Sequence, residues 1–270
     1  MKTVQTWARV FLLSSLAFAC GITDVGNTDF EANEPFSFDV ALANQSRVHL
    51  RGVNGSITIT GDPIATSITI EGERRARSES MGDAMMHIND VQVRVSEWPD
   101  EIVVETLQPS ASAGRSYEVE YWLVVPARLD VELENTNGNI EIRFGVGDVA
   151  VINVNGDVTL TGTRGSAEVN LVNGRIDAQL DPVGHPPIDL QTVNGQIDLS
   201  VPTSVSCRLE ARLTNGTISV SNLVMTDVTQ TPTSLRGTVG GGLGTADLQL
   251  VNGDITITGR NWQVSDGRVN

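Results

Sequence analysis

Lysine is almost missing from this chain: Lys2 is the only one in 270 residues, and every other basic side chain is an arginine. Beyond Lys2 the sequence therefore offers no Schiff-base lysine, no phosphate-loop lysine and no lysine general base. Cysteine is nearly as scarce, with Cys20 and Cys207 alone, so no disulfide framework is available. The three histidines are His49, His87 and His185, and no two stand at a metal-ligand spacing; no His-Glu-x-x-His or Gly-x-Ser-x-Gly motif occurs. Neither a metal centre nor a serine-hydrolase site is expected, and no cofactor is implied. Aromatic residues make up 4% of the chain, which leaves little bulk for a second covering layer. The formal charge of −15 works against nucleic acid, whose phosphates require clustered Lys and Arg.

Residues 1–19 read as an export signal rather than as part of the fold. Lys2 and Arg9 flank a short basic region, Val10 to Phe18 is a compact apolar stretch too short to span a bilayer, and Ala17-Phe18-Ala19-Cys20 closes it. The closing tetrapeptide resembles a bacterial lipobox, in which the cysteine becomes the lipidated first residue. That resemblance implies an anchor at Cys20 and, with Gly21 following, an outer-membrane destination. An ordinary signal peptide with an incidental Cys20 is the alternative. Removal of the signal leaves 16 basic residues against 33 acidic ones, a formal charge of −17. Residues 20–35 are rich in Asp, Asn, Glu, Gly and Thr and suit a flexible tether.

What the sequence has in abundance is the Asn-Gly pair. It occurs seven times ahead of alternating apolar residues: Asn54-Gly55, Asn137-Gly138, Asn155-Gly156, Asn173-Gly174, Asn194-Gly195, Asn215-Gly216 and Asn252-Gly253. From Gly138 onward the glycines are spaced by 18, 18, 21, 21 and 37 residues, the last gap long enough for two units. Apolar parity flips across each pair, as Val169 and Leu171 give way to Ile176 and Ala178. Either a two-residue hairpin or a solenoid corner produces that flip. With one recognisable helix and few aromatics to cover a hairpin meander, stacked coils are the better reading. The pairs themselves need no ligand, because Asn and Gly both tolerate positive φ in turns.

The expected organisation is a β-rich N-terminal part over 36–127, regular coils over 128–259 and a C-terminal tail over 260–270. Strand alternation falls at 47–53, 56–60, 67–71, 91–95, 102–107 and 117–125. A short helix near 80–90 carries Met81, Ala84, Met85 and Ile88 on one stripe, with Ser80 as N-cap, and should pack on a sheet. Cys207 alternates with apolar neighbours and should face the core. The stretch 237–247 is read as a loop between coils.

The leading Gly-Val-Asn54-Gly55-Ser-Ile-Thr-Ile, the short helix, the strand 117–125 with Pro126, and Glu-Asn-Thr-Asn137-Gly138-Asn-Ile-Glu-Ile followed by Asn-Gly-x-Ile units resemble the bacterial putative-adhesin domain of the DUF4097 type across roughly 36–259. The resemblance implies an all-β β-solenoid exposed to the cell envelope or beyond, and it brings no catalytic residues with it. Stacked coils would set Thr58, Glu141, Thr159, Asp177, Asp198, Ser219 and Thr256 in one outward row. Asp177 and Asp198 would then be neighbours about 4.8 Å apart, where a cation or a neighbouring arginine could relieve their repulsion; a solvated acidic face is the plain reading of the row, a cation or sugar contact the alternative, and Asp157 beside Arg175 would be a favourable pair. The expected function is non-enzymatic: a lipid-anchored envelope solenoid binding an extended partner such as a glycan or an envelope protein. The rivals are a carbohydrate-active enzyme using paired acids, and an envelope structural or stress protein with a protein partner.

Overall fold

The computed structural model describes residues 30–261. The expected signal segment, Cys20, the start of the expected tether and most of the expected C-terminal tail lie outside them. Chain order is β1 (Phe30–Ala41), β2 (Arg47–Arg51), β3 (Ile57–Asp62), β4 (Ser67–Ser78), α1 (Met81–His87), β5 (Gln92–Glu97), β6 (Glu101–Leu107), β7 (Ser116–Pro126), β8 (Asp130–Asn137), β9 (Ile140–Arg143) and β10 (Val149–Asn155). There follow β11 (Val158–Thr163), β12 (Ala167–Leu180), β13 (Ile188–Pro202), β14 (Cys207–Asn215), β15 (Ile218–Ser221), β16 (Met225–Thr231), β17 (Ser234–Val239) and β18 (Gly244–Arg260). All eighteen strands belong to one continuous sheet, so the expected boundary at 127/128 divides irregular from regular coils and separates no domains.

Each coil has two sides that meet at an Asn-Gly corner, and equivalent sides of successive coils pair in parallel. Asn173 of β12 aligns with Asn194 of β13 and Gly174 with Gly195, with Ile176, Asp177 and Ala178 set against Ile197, Asp198 and Leu199. Parallel register of this kind excludes the hairpin reading of Asn-Gly and establishes a solenoid. Alternation then does the packing, because every second residue turns inward. One wall buries the column Ile102, Val48, Val131, Val149, Ala167, Ile188, Ala246 and Leu209. On the other, Tyr121, Ile57, Ile140, Val158, Ile176, Ile197 and Ile255 are stacked and buried. Both columns belong to a single core. Tyr121 satisfies its hydroxyl on Thr106 at 2.6 Å, and burial pushes its pKa up to about 12. Cys207 is inward and buried.

The coils are not stacked in chain order. Pairing runs β6–β7, β2–β3, β8–β9, β10–β11, β12, β13, β18, then β14–β15. At each end a coil distant in sequence is inserted one position inward. The first Asn-Gly coil, β2–β3, sits between β6–β7 and β8–β9, and the last, β18, sits between β13 and β14–β15. Antiparallel strands close the ends: β4 and β1 on β7, β5 on β6, and β17 and β16 on β14. The long gap before Asn252 therefore holds one antiparallel hairpin, β16–β17, instead of two more units, and the stretch 237–247 is largely strand.

Three further expectations are corrected. Residues 30–35 of the presumed tether lie in β1, which pairs with β4 from Phe30↔Ser78 to Ala41↔Ser67; Phe36 and Phe38 carry enough apolar surface to seat the strand. α1 has its Ser80 cap, with the Ser80 side chain accepting from the Asp83 N–H, but only Ala84 of its stripe and Ile88 just beyond it are buried, while Met81 and Met85 are 46% and 64% exposed. Seven residues give too short a helix to lay a full stripe on the sheet, and its polar side anchors it: Asp83 accepts from Arg115 at 2.6 and 2.7 Å and from Ser78, and the Arg115 guanidinium holds the Asp83 carboxyl well below the usual carboxylate range. The corner asparagines, finally, are not in the positive-φ region. Only the glycines are, with φ from +115° to +144°.

Those glycines have a second requirement. A Cβ on Gly138, Gly156, Gly174, Gly195, Gly253 or Gly216 would overlap the carbonyl oxygen of the corner glycine in the adjacent coil. Gly195→Ala should cost at least about 2 kcal/mol, since strained φ and a backbone clash add. Gly82 of α1 has open space around its Cα. Gly82→Ala should be neutral or stabilising by up to about 1 kcal/mol on helix propensity. Urea unfolding of both variants measures the difference; equal midpoints would contradict the corner argument.

Candidate functional site

The asparagine beside each corner glycine points outward and bonds to its counterpart one coil away. Asn137 Nδ2 donates to Asn54 Oδ1 at 2.7 Å, Asn155 to Asn137 at 2.8 Å, Asn173 to Asn155 at 2.9 Å, Asn194 to Asn173 at 2.9 Å, Asn252 to Asn194 at 2.8 Å and Asn215 to Asn252 at 2.9 Å. Asn54 ends the series by donating to the Tyr117 carbonyl at 3.0 Å. Every amide points its N–H the same way, giving one unbroken ladder through all seven sequence motifs. The asparagines are therefore occupied by one another rather than waiting for a ligand. Inside the same corner, Asn135 and Asn153 donate to the Gly55 and Gly138 carbonyls at 3.3 and 3.0 Å.

Two flat outer faces remain. On the wall after the corner, register sets Trp122, Thr58, Glu141, Thr159, Asp177, Asp198, Thr256 and Ser219 in one outward row. Val124, Thr60, Arg143, Thr161, Gln179, Ser200, Thr258 and Ser221 form the row beside it. Asp177 and Asp198 face each other in adjacent coils, and Arg175 joins them: its Nε is 2.7 Å from Asp198 Oδ2 and its Nη2 is 3.9 Å from Asp177 Oδ2. Gln196 donates to the other Asp198 oxygen at 3.0 Å. Arg175 is thus the arginine that relieves the pair's repulsion. The expected Asp157–Arg175 pair takes a different form, with Asp157 Oδ1 accepting the Arg175 backbone N–H at 2.8 Å while the guanidinium turns to Asp198. The same device recurs where Asp254 accepts from Thr217, which lowers the Asp254 pKa.

The wall before the corner is more charged. Val103, His49, Glu132, Ala150, Glu168, Asp189, Asp247 and Glu210 share one outward row. Four consecutive carboxylates close it. Arg236 and Arg212 take up Glu210 and keep its pKa low, whereas partial burial, then Asp189, raises that of Asp247. At the other end of the wall a shallow groove of about 430 Å³ is lined by Arg51, Arg94, Ser96, Trp98, Glu101, Val103 and Glu105. Next to it stand His49, Glu132 and Glu134, with one ligand-type atom from each lying within 4.8 Å of the others. The sequence spacing gave no sign of this group, because His49 and the two glutamates become neighbours only through the out-of-order insertion of β2 beside β8. His87, the last residue of α1, binds Asp90 at 2.7 Å, and His185 sits in the 181–187 loop at φ +64°. Among the described residues no helix is long and apolar enough to cross a membrane.

A carboxyl whose folded pKa is raised binds its proton more tightly when folded, so it contributes less stability as pH rises through that pKa. Asp247→Asn removes the repulsion from Asp189 while keeping an acceptor for Gln249. It should stabilise the fold at pH 7 and have little effect near pH 3, where the Asp247 carboxyl, its pKa raised, is protonated. Thermal unfolding at the two pH values checks this; a variant destabilised at pH 7 would contradict it.

Residues 130–258 match a family model described as Toastrack DUF4097. No curated protein matches the chain. Solved structures similar to it include a putative cell adhesion protein from Clostridium sporogenes ATCC 15579, at 10% identity and TM-score 0.47, covering 85% of this chain and 100% of that one. A putative adhesin from Bacteroides fragilis NCTC 9343 has 10% identity and TM-score 0.36, with 84% and 97% covered. One from Parabacteroides distasonis ATCC 8503 has 9% identity and TM-score 0.27, with 86% and 98% covered.

Proposed function

We propose that this chain, which carries a Toastrack domain of the DUF4097 type over residues 130–258, is an exported, lipid-anchored and non-enzymatic envelope protein that binds an extended glycan in adhesin-like fashion. The observation that carries the reading is the pair of outward rows on the wall after the corner. Thr58, Thr60, Thr159, Thr161, Thr256 and Thr258 recur there with Asp, Glu, Gln and Ser between them, at the fixed spacing of stacked strands. A polymer with its own repeat can meet several such groups at once, and linked weak contacts add to a useful affinity. Trp122, 45% exposed at the end of one row, adds an apolar face of the kind sugar rings stack on.

The non-enzymatic part rests on the state of the acids. Asp177 and Asp198 lie close enough for a retaining glycosidase pair, yet Arg175 and Gln196 already engage Asp198. The envelope placement rests on the export signal and the lipobox-like Cys20 read from the sequence.

The test is binding of the purified chain to immobilised envelope polysaccharides, with reducing ends assayed in parallel. Wild type should be retained without releasing new ends, and Thr161→Arg should weaken retention by roughly tenfold because a long charged side chain interrupts the row. Glu168→Arg on the other wall should leave it unchanged. Equal effects of the two variants would overturn the choice of wall, and turnover abolished by Asp177→Asn or Asp198→Asn would replace binding with catalysis. In cells, labelled palmitate should enter the wild type and not Cys20→Ala; label in both would place the anchor elsewhere.

A further inference from the structure

We infer that His49, Glu132 and Glu134 form a binding site for a divalent transition-metal ion of the zinc class, on the wall opposite the proposed glycan rows. His49 is an outward-row residue that is nevertheless buried, at 5% exposure, while Glu132 and Glu134 remain accessible. Its Nε2 lies 3.3 Å from Glu134 Oε1 and accepts from Arg51 Nε at 3.3 Å. An imidazole nitrogen that accepts a hydrogen bond uses for it the same lone pair with which it ligates a metal, so an ion would take over from Arg51 the lone pair of Nε2. The donor set of one imidazole nitrogen and two carboxylate oxygens, with one atom from each within 4.8 Å of the others, is of the kind used by zinc and its neighbours in the first transition row. Calcium and magnesium prefer all-oxygen sets and gain little from the imidazole.

The surrounding charges bear on affinity. Arg47 binds Glu132 at 3.0 Å and Arg51 binds His49, and both guanidinium groups lie at the solvent edge of the cluster. Arg47 neutralises Glu132 and Arg51 occupies the His49 nitrogen, and a metal has to displace both. They are competitors, which distinguishes this cluster from a purely structural ionic lattice: in a lattice, removing an arginine only weakens the cluster, whereas here it opens the site. Three protein donors leave a further coordination position for water or for an oxygen of a partner. The ion would also tie β2, the inserted coil, to β8, its neighbour in the stack but distant in sequence.

The experiment uses the full chain without an affinity tag, stripped with a chelator and titrated calorimetrically with Zn²⁺ alone. One Zn²⁺ per chain should bind saturably. The accessible double variant Glu132→Gln/Glu134→Gln, checked for an unchanged circular dichroism spectrum, should bind at least about tenfold more weakly. Arg51→Gln should bind several-fold more tightly, and Zn²⁺ should raise the melting temperature of the wild type but not of the double variant. No saturable binding, uptake unaffected by the two Glu→Gln changes, or Ca²⁺ binding as tightly as Zn²⁺ would overturn the assignment.

Discussion

The structure depends on how closely one coil can lie on the next at the corner. There the backbone of each coil passes directly over the carbonyl of its neighbour's corner glycine, leaving no room for a side chain. That contact fixes register. A slip by one residue would drive a Cβ into the carbonyl and would turn every inward residue outward, since strand side chains alternate with period two. Once register is set, the asparagine ladder forms, the isoleucine and leucine columns fall in line, and the polar rows become straight. Each ladder bond contributes only about 0.5–1.5 kcal/mol net, toward the low end where it is exposed. Glycine and asparagine thus do different jobs at one corner, the first permitting approach and the second joining what has approached.

The ends of the stack follow from the same constraint. A solenoid wound in chain order exposes a strand edge at each end, and such edges invite unwanted pairing. Here β6–β7 and β14–β15 lie outside the first and last Asn-Gly coils of the sequence, and antiparallel strands close over most of them. A lattice of opposite charges covers the N-terminal closure: Arg75 pairs with Glu73 and Glu120, and Arg77 with Glu31 and Glu118. Partners such as Asn54 and Asn137, or Asn194 and Asn252, are far apart in sequence, so these coils can join the stack only after long loops have closed. High contact order of this kind implies slow folding.

Much of this was legible in the sequence. The seven Asn-Gly pairs and the parity flip located the corners, and alternation located the core, Cys207 included. The outward row with Asp177 beside Asp198 followed from assuming equal coils. What could not be read was anything set by the order of stacking. Nothing in the spacing of His49 and Glu132 says that β2 inserts beside β8, and nothing in the gap before Asn252 says that a hairpin leaves the stack and returns inside it. The tether was placed too far along because Glu31, Asn33 and Glu34 look soluble, although they belong to a strand whose partner β4 offers arginines to meet them. Composition points only to asparagine's tolerance of positive φ; its actual value to the fold lies in a side chain that can donate and accept at once, a property visible only when copies stack.

The most direct test is side-chain amide hydrogen exchange by NMR. The Nδ2 protons of Asn137, Asn155, Asn173, Asn194 and Asn252 each include one held in a ladder bond and should exchange at least about tenfold more slowly than a free asparagine amide. Gly195→Ala should abolish that protection at Asn194, whose Nδ2 donates to Asn173, because the new Cβ would meet the Gly174 carbonyl and the two coils could no longer approach. Protection absent from the wild type, or unchanged in the variant, would contradict the view that the glycine contact holds the stack in register.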